Sequence, residues 1–216
     1  MVHTQDISIP CPYVVGSAFL LRVTPTIGSP FDLLATVVKF YEPVTISPIM
    51  LISIEFIDTD SESSPYKLPN KIVLKVYDRR FSTDLREQYR LRASTYKTEK
   101  LYHDYVAFGQ APDNLKSIHK VIDGFGKLDN CPRELLEHYI TIETSPYFAA
   151  ECATNEQLQS LQGCDVPRFY GSVEFLESPS VPGLNLSVPG ILLEPIVGTS
   201  LDSMDPASPN IQDVIK

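Results

Sequence analysis

Short runs of apolar residues along this 216-residue chain predict five β-strands. The runs lie within 33–41, 48–57, 71–80, 166–176 and 190–196. Polar turns separate the first three runs, so we expect these strands to form an antiparallel meander. The N-terminal residues before the first run, 1–30, hold several prolines and are predicted to be irregular, with room for one short strand.

Helical patterns occupy the stretch between the third and fourth predicted strands. Residues 82–108 are predicted to be helical, with Ser82 as the N-cap, because strong helix breakers are absent. Residues 111–130 are predicted to form a loop, and 131–143 a helix. These elements together form a predicted helical insertion in an otherwise strand-rich chain.

The clearest helix prediction covers residues 145–163. Ser145 is a suitable N-cap, Pro146 suits the first helical position, and Gly163 suits the end. The resulting fold class is α+β: a five-stranded antiparallel sheet, one main helix, and a helical insertion at 79–144.

Lys75 is an unusual residue for its predicted position. In "KIVLKVYDRR" (71–80) both faces of the strand are largely apolar, which predicts burial on both sides. Removing a lone charge from water costs several kcal/mol unless the charge is paired. Lys75 therefore needs an anionic partner, a path to solvent, or a neutral state.

Glu151 is the best candidate partner. On an ideal helix Leu158 lies within about 20° of Glu151, whereas Glu156 points about 160° away from Leu158. Glu151 therefore falls on the apolar face of the 145–163 helix, and we expect it to meet Lys75. The alternative is that the helix dipole stabilises Glu151 near the helix start while Lys75 extends to solvent.

Several segments in this order resemble the N-terminal lobe of protein-kinase-like domains. They are "IVLK" at 72–75, Glu151 upstream of "LQSLQG" at 158–163, "VPRFYG" at 166–171 and "ILLEPIVGTSL" at 191–201. The resemblance is to fungal protein-kinase-like proteins and, more distantly, to the aminoglycoside and choline phosphotransferases. It implies a kinase-like N-lobe over 31–197, with 198–216 as the start of a C-lobe that is nearly absent.

The resemblance also implies a nucleotide site. Lys75 would hold the α- and β-phosphates of ATP, and Glu151 would hold Lys75. Val73 would pack on the adenine, and Leu193 would line the back of the pocket. The hinge would use the carbonyl of Glu194 and the N–H of Ile196.

This chain departs from the family pattern in two places. The segment "EPVTISPIM" (42–50), where kinases carry a glycine-rich phosphate loop, holds no glycine, so Ser47 is the candidate phosphate contact. The H-x-D-x-x-x-x-N and D-x-G motifs that orient the acceptor and hold magnesium do not follow the hinge. "IDGFGK" at 122–127 precedes Glu151 and cannot replace them. We therefore predict a truncated, pseudokinase-like protein that binds ATP weakly, without magnesium, phosphoryl transfer or catalytic residues.

Charge and composition restrict the classes of binding partner and the cellular location that we expect. The net charge of −9 argues against nucleic acid, although residues 71–100 carry nine Lys/Arg and four Asp/Glu. We expect those charges to lie on a solvated helical face, a phosphate-contacting surface being the alternative. No apolar run is long enough for a membrane span, and no signal peptide or paired cysteines are present, so an intracellular location, cytoplasmic or nuclear, is expected.

A non-enzymatic role is the alternative function. The 79–144 insertion could bind a protein partner through its aromatic and basic residues, which are Tyr89, Tyr96, Tyr102, Tyr105, Arg86 and Arg90.

Overall fold

Six antiparallel strands close into a barrel. The structure is a computed structural model that describes residues 6–57, 68–177, 188–196 and 198. The strands are β1 (Ala18–Pro25), β2 (Phe31–Tyr41), β3 (Ile49–Phe56), β4 (Lys71–Val76), β5 (Phe169–Phe175) and β6 (Pro189–Leu193). They follow the order β1-β2-β3-β4-β6-β5, and β5 pairs with β1 to close the barrel.

The predicted fold class, an open five-stranded kinase-like sheet, is wrong. The sixth strand is β1, which lies in the segment 1–30 that was predicted to be irregular with room for one short strand. Closure requires a close approach of β5 to β1 at Gly171, where a Cβ would stand 2.4 Å from the Thr24 carbonyl oxygen. Because β1 pairs on both sides, neither β2 nor β5 is an edge strand. The predicted C-lobe residues after 198, and residue 197 of the hinge, lie outside the described residues.

The interior of the barrel is the main hydrophobic core. Along β4, Ile72, Leu74 and Val76 are fully buried and point into it, in keeping with the two-residue period of a strand. Val73 and Lys75 therefore lie on the outer face of the barrel. The prediction that β4 is buried on both sides holds only in part, because Val73 and Lys75 on the outer face are half-buried.

In the described part of the chain four α-helices pack outside the barrel: α1 (Thr83–Gln88), α2 (Tyr96–Ala107), α3 (Leu115–Phe125) and α4 (Arg133–Gln157). The predicted 82–108 helix is interrupted between α1 and α2, where Arg90 adopts a positive φ of 54°. Ser82 does not cap α1 with its side chain. Its hydroxyl donates instead to the carbonyls of Ile46 and Asp78, at 2.7 and 3.2 Å.

The predicted loop at 111–130 contains helix α3. Asn114 caps it by accepting from the N–H of Ser117 at 3.0 Å, and Ile118 is fully buried against α4. The loop prediction is wrong here, because the apolar spacing of Leu115, Ile118 and Ile122 gives the helix a packing face.

The two helices predicted over 131–143 and 145–163 are one helix, α4, that continues through Pro146 and ends at Gln157, before the predicted end at Gly163. Ser145 is not an N-cap. Its hydroxyl donates to the carbonyl of Thr141 at 2.9 Å, and the Thr144 hydroxyl donates to the carbonyl of Ile140 at the same distance. Packing of the α4 face against the other helices outweighs the loss of one backbone donor at a proline.

A buried ion network joins α4 to the chain that follows β4. The Glu137 carboxylate, fully buried, accepts from Arg79 at 2.5 Å and from Arg86 at 2.8 Å. Arg79 also donates to Glu99 at 2.7 Å and lies over the ring of Tyr102, 4.1 Å from its centroid.

Arg80 forms the second part of the network. Asp78 accepts from Arg80 through two side-chain bonds of 2.8 and 2.6 Å, and from the Tyr13 hydroxyl at 2.6 Å. The expectation that basic residues of 71–100 are solvated is therefore wrong for three arginines, since Arg79, Arg80 and Arg86 are each at most 7% exposed.

Two carboxylates of this network, Glu137 and Asp78, have a lowered pKa. Burial alone would raise the pKa of Glu137, but the guanidinium groups of Arg79 and Arg86 outweigh it and lower that pKa below its usual value of 4.5. The pKa of Asp78 is lowered in the same way: Arg80 overcomes the effect of burial. A lowered pKa in the folded state means that these groups stabilise the fold above the usual carboxyl pKa, and that this contribution is lost as the pH falls through the folded value.

We predict that Glu137→Gln lowers the free energy of unfolding by roughly 3–5 kcal/mol, because it leaves the buried guanidinium group of Arg86 without an anion and Arg79 with Glu99 alone. The wild-type protein should also lose stability between about pH 5 and pH 3, whereas the variant should lose less over the same range. Urea unfolding at several pH values measures both effects.

Glu156→Gln is the matched control, because Glu156 lies on the same helix and is exposed. It should change the free energy of unfolding by less than about 0.5 kcal/mol. Equal effects of the two substitutions on the free energy of unfolding would contradict the proposed contribution of the network to stability.

Candidate functional site

The Lys75 and Glu151 side chains are in direct contact. Lys75 Nζ donates to Glu151 Oε2 at 2.5 Å, and the two side chains are 25% and 28% exposed. The predicted contact is confirmed, while its role in binding nucleotide stays a prediction. The alternative, with Lys75 extending alone to solvent, is wrong.

Neighbouring elements explain why the two residues meet. Lys75 projects from the outer face of β4, and the second half of α4 lies over that face, where Phe148 and Cys152 pack beside Tyr77 and Ile191. Glu151 belongs to this packed side of the helix, whereas Glu156 is exposed, as the helical angles predict.

Tyr77 is a third member of the site. Its hydroxyl donates to the same oxygen, Glu151 Oε2, that Lys75 contacts. Its ring is 5% exposed and packs edge-on against Phe148 at a centroid distance of 5.4 Å. Lys75 Nζ lies 5.5 Å from the centroid of the same ring. The cluster of Lys75, Tyr77 and Glu151 is called the triad below.

The residues predicted to contact adenine lie beside the triad. Val73 pairs with Leu193 across β4 and β6, and Lys75 pairs with Ile191. Residues that face each other on neighbouring strands share one side of the sheet, so Val73, Leu193 and Lys75 lie on the same outer face. The structure thus brings the predicted apolar residues, Val73 and Leu193, next to the predicted cation, Lys75, which is two positions further along β4.

The predicted hinge continues directly from β6. The N–H of Glu194 donates to the carbonyl of Arg168 at 2.8 Å, and its carboxylate accepts from the N–H of Arg168 at 3.1 Å. Ile196 is 77% exposed, and within the described parts of the chain its N–H has no backbone acceptor. Glu194 is therefore anchored to the start of β5, while Ile196 is exposed.

Ser47 is less accessible than its predicted role requires. It is 4% exposed, and its hydroxyl has no partner among the described residues. The preceding turn is fixed to the start of α1, because Ser82 donates to the Ile46 carbonyl and the Thr83 hydroxyl donates to the Val44 carbonyl. A phosphate would reach the Ser47 hydroxyl only after this turn moved.

The insertion residues predicted to bind a protein divide into two groups. Arg86 and Tyr102 are buried and support the fold, whereas Arg90 has a side chain 78% exposed and Tyr96 is 44% exposed. Tyr89 packs against Tyr139 at 4.8 Å between centroids. Large exposed apolar side chains were not among those predicted; they are Leu101, Val106, Phe108, Val121 and Phe125.

Cavities are also found among the described residues away from the triad. One, of about 630 Å³, is bordered by Cys11, Phe40, Phe81 and Leu91, among other residues. Another, of about 610 Å³, lies between the start of α3 and the middle of α4. Among the described residues no cluster of His, Cys, Asp or Glu suits a metal ion, and none of the described helices has the length and apolar character needed to cross a bilayer.

Sequence reasoning missed Tyr77 and the buried ion network. The i, i+2 spacing of Lys75 and Tyr77 on a strand was a usable signal for Tyr77, because it places both side chains on one face. The network had a weaker signal: the run "DRR" at 78–80 directly after a buried strand, where the chain has little room for solvated charges.

We predict that Lys75 and Glu151 are energetically coupled. In a double-mutant cycle with Lys75→Met and Glu151→Gln, the interaction energy should be on the order of 1–3 kcal/mol in favour of the native pair, because the contact is three-quarters shielded from water. Chemical unfolding of the four proteins measures it. The exposed pair Lys100 and Asp104 is the matched control and should give less than about 0.5 kcal/mol. Additive effects of the Lys75 and Glu151 substitutions would contradict the pairing.

Comparison with known proteins does not identify a family. No family model, curated protein or solved structure matches the chain. The functional argument therefore rests on the geometry of the triad and its neighbours.

Proposed function

We propose that the outer face of β4 and β6 binds an adenine nucleotide weakly. The observation that carries the proposal is the 2.5 Å contact between Lys75 and Glu151 on the same face as Val73 and Leu193. A cation held by a carboxylate, next to an apolar strip, suits a ligand with a phosphate tail and a flat apolar base.

Lys75 supplies the phosphate contact. Its ammonium has three donors, and one of them goes to Glu151, so two remain for phosphate oxygens. The side chain is a quarter exposed, which lets a ligand reach it without opening the fold. Glu151 limits the positions that the long lysine side chain can adopt, and so lowers the entropy lost on binding.

Val73, Leu193 and the backbone of 194–196 supply the base contacts. The two apolar side chains face each other across neighbouring strands and offer a surface for one face of a purine. The carbonyl of Glu194 and the N–H of Ile196 form an acceptor and a donor at the edge of this surface. An acceptor next to a donor matches adenine, whose amino group donates and whose ring nitrogen accepts.

The proposal is restricted to binding. The groups assigned here hold a nucleotide and do not orient an acceptor hydroxyl or a metal ion, so no transfer step is assigned to them. Ser47 is a secondary phosphate contact in this proposal, and its use requires movement of the turn that precedes β3.

We predict that ATP binds the purified chain with a Kd on the order of 0.1–1 mM, and that Lys75→Met weakens this binding about ten-fold, because a charge-assisted contact to phosphate is lost. Isothermal titration calorimetry with ATP and with adenosine measures both. Adenosine affinity should not change in the variant, since adenosine carries no phosphate.

Lys71→Met is the control variant. Lys71 is an exposed lysine on the same strand and should leave the ATP affinity within two-fold of the wild-type value. The absence of ATP binding to the wild-type chain would refute the proposed function, and equal losses for the two lysine variants would refute the assignment of Lys75.

A second candidate function is binding of a protein partner by the insertion. The observation in its favour is the set of exposed apolar side chains at the end of α2 and along α3: Phe108 is 75% exposed, Phe125 40% and Val121 39%. Apolar side chains grouped on one structural unit are typical of interaction surfaces.

For this candidate we predict that the double substitution Phe108→Asp and Phe125→Asp reduces association of the chain in concentrated solution at least five-fold without lowering its melting temperature. Sedimentation velocity at several concentrations, followed by pull-down from extract, measures association with itself and with other proteins. Tyr147→Asp, at an exposed aromatic outside the insertion, is the control and should have no effect. Association that depends on Lys75 rather than on the phenylalanines would contradict this candidate.

A further inference from the structure

The Tyr77 hydroxyl is the part of the triad that the proposed function does not use. Tyr77 immediately follows β4, and its backbone N–H donates to the Pro189 carbonyl at 2.8 Å. Its ring is buried and packs on Phe148 of α4. The backbone and the ring are therefore both fixed, and the position of the hydroxyl follows from them.

The hydroxyl and the Lys75 ammonium share one acceptor atom, Glu151 Oε2. The two donors differ in conformational freedom. The ammonium ends a flexible four-carbon chain, while the phenol ends a rigid ring with two side-chain torsions. Tyr77 therefore determines where Oε2 lies, and Oε2 determines where the ammonium lies.

The phenol is a permanent donor. Burial raises the pKa of Tyr77 far above its usual value, and the negative charge of Glu151 raises it further. At neutral pH the group keeps its proton and cannot become a competing anion beside Glu151.

We infer that Tyr77 is a positioning residue, whose hydroxyl holds the Glu151 carboxylate in place while Lys75 turns towards an anionic ligand. Without Tyr77, a carboxylate that loses part of its contact with Lys75 would need a new partner or water. With Tyr77, it keeps a hydrogen bond throughout, and Lys75 can share its donors with the ligand at lower cost.

The identity of the ligand, the phosphates of an adenine nucleotide, rests on the proposed function. The order of contacts, Tyr77 to Glu151 to Lys75, is a property of the fold and can be tested without nucleotide.

The experiment compares Tyr77→Phe, Glu151→Gln and the double variant. The first readout is the rate at which a water-soluble N-hydroxysuccinimide acetate acylates Lys75, measured by peptide mass spectrometry. We expect Tyr77→Phe to increase this rate two- to five-fold, because the ammonium is held less firmly. The second readout is the ATP Kd, expected to rise three- to ten-fold. In the Glu151→Gln background, Tyr77→Phe should change neither quantity further.

Tyr41→Phe is the matched control, because Lys39 Nζ lies 4.7 Å from the Tyr41 ring centroid, and among the described residues the Tyr41 hydroxyl makes no hydrogen bond to a carboxylate. It should not alter acylation of Lys39. Glu151→Asp provides a second variant, since it keeps the charge but withdraws the carboxylate by one methylene. It should increase Lys75 acylation as Tyr77→Phe does.

The two hypotheses fail separately. If ATP does not bind the wild-type chain but Tyr77→Phe still increases Lys75 acylation through Glu151, the nucleotide site is wrong and the positioning role stands. If ATP binds the wild-type chain and Tyr77→Phe changes neither readout, the positioning role is wrong. An undiminished effect of Tyr77→Phe in the Glu151→Gln background would also overturn it.

Discussion

The position of α4 depends on the buried pairing of Glu137 with Arg79 and Arg86. A carboxylate and two guanidinium groups that are nearly excluded from water cannot separate without a large loss of free energy. Arg79 follows β4 by three residues, so the pairing attaches the first half of α4 to the end of that strand. The placement of every later residue on the helix follows from this attachment.

A second attachment lies fourteen residues further along α4, at Glu151, which corresponds to about 21 Å of helix. Lys75 and Tyr77 hold this residue from the same strand region that carries Arg79. The two attachments differ in character. The Glu137 pairing is almost fully buried, whereas the side chains of Lys75 and Glu151 are about a quarter exposed. The first half of α4 is therefore attached by a contact shielded from water, and the second half by a contact that water can reach.

Sequence reasoning succeeded for the triad pair and failed for the barrel. Lys75 and Glu151 each violate the local apolar pattern, and two violations of opposite charge predict a contact even at long sequence separation. No residue that violates the local apolar pattern signals the closure of the barrel. Residues 18–25 have a normal strand pattern, but their pairing with β5 joins segments about 150 positions apart, and prolines nearby favoured an irregular segment. The uninterrupted helix through Pro146 was missed for a related reason: packing against other helices, and not local propensity, determines it.

The sequence by itself determined the local periodicity of the strands, the apolar and polar faces of α4, and the need of Lys75 for an anion, because each follows from residue spacing and the cost of desolvating charge. Only the tertiary structure decided that β1 closes the sheet, that Arg79, Arg80 and Arg86 are buried, and that Tyr77 shares the Glu151 oxygen with Lys75. These features depend on distances between segments far apart in the chain, and no local pattern encodes such distances.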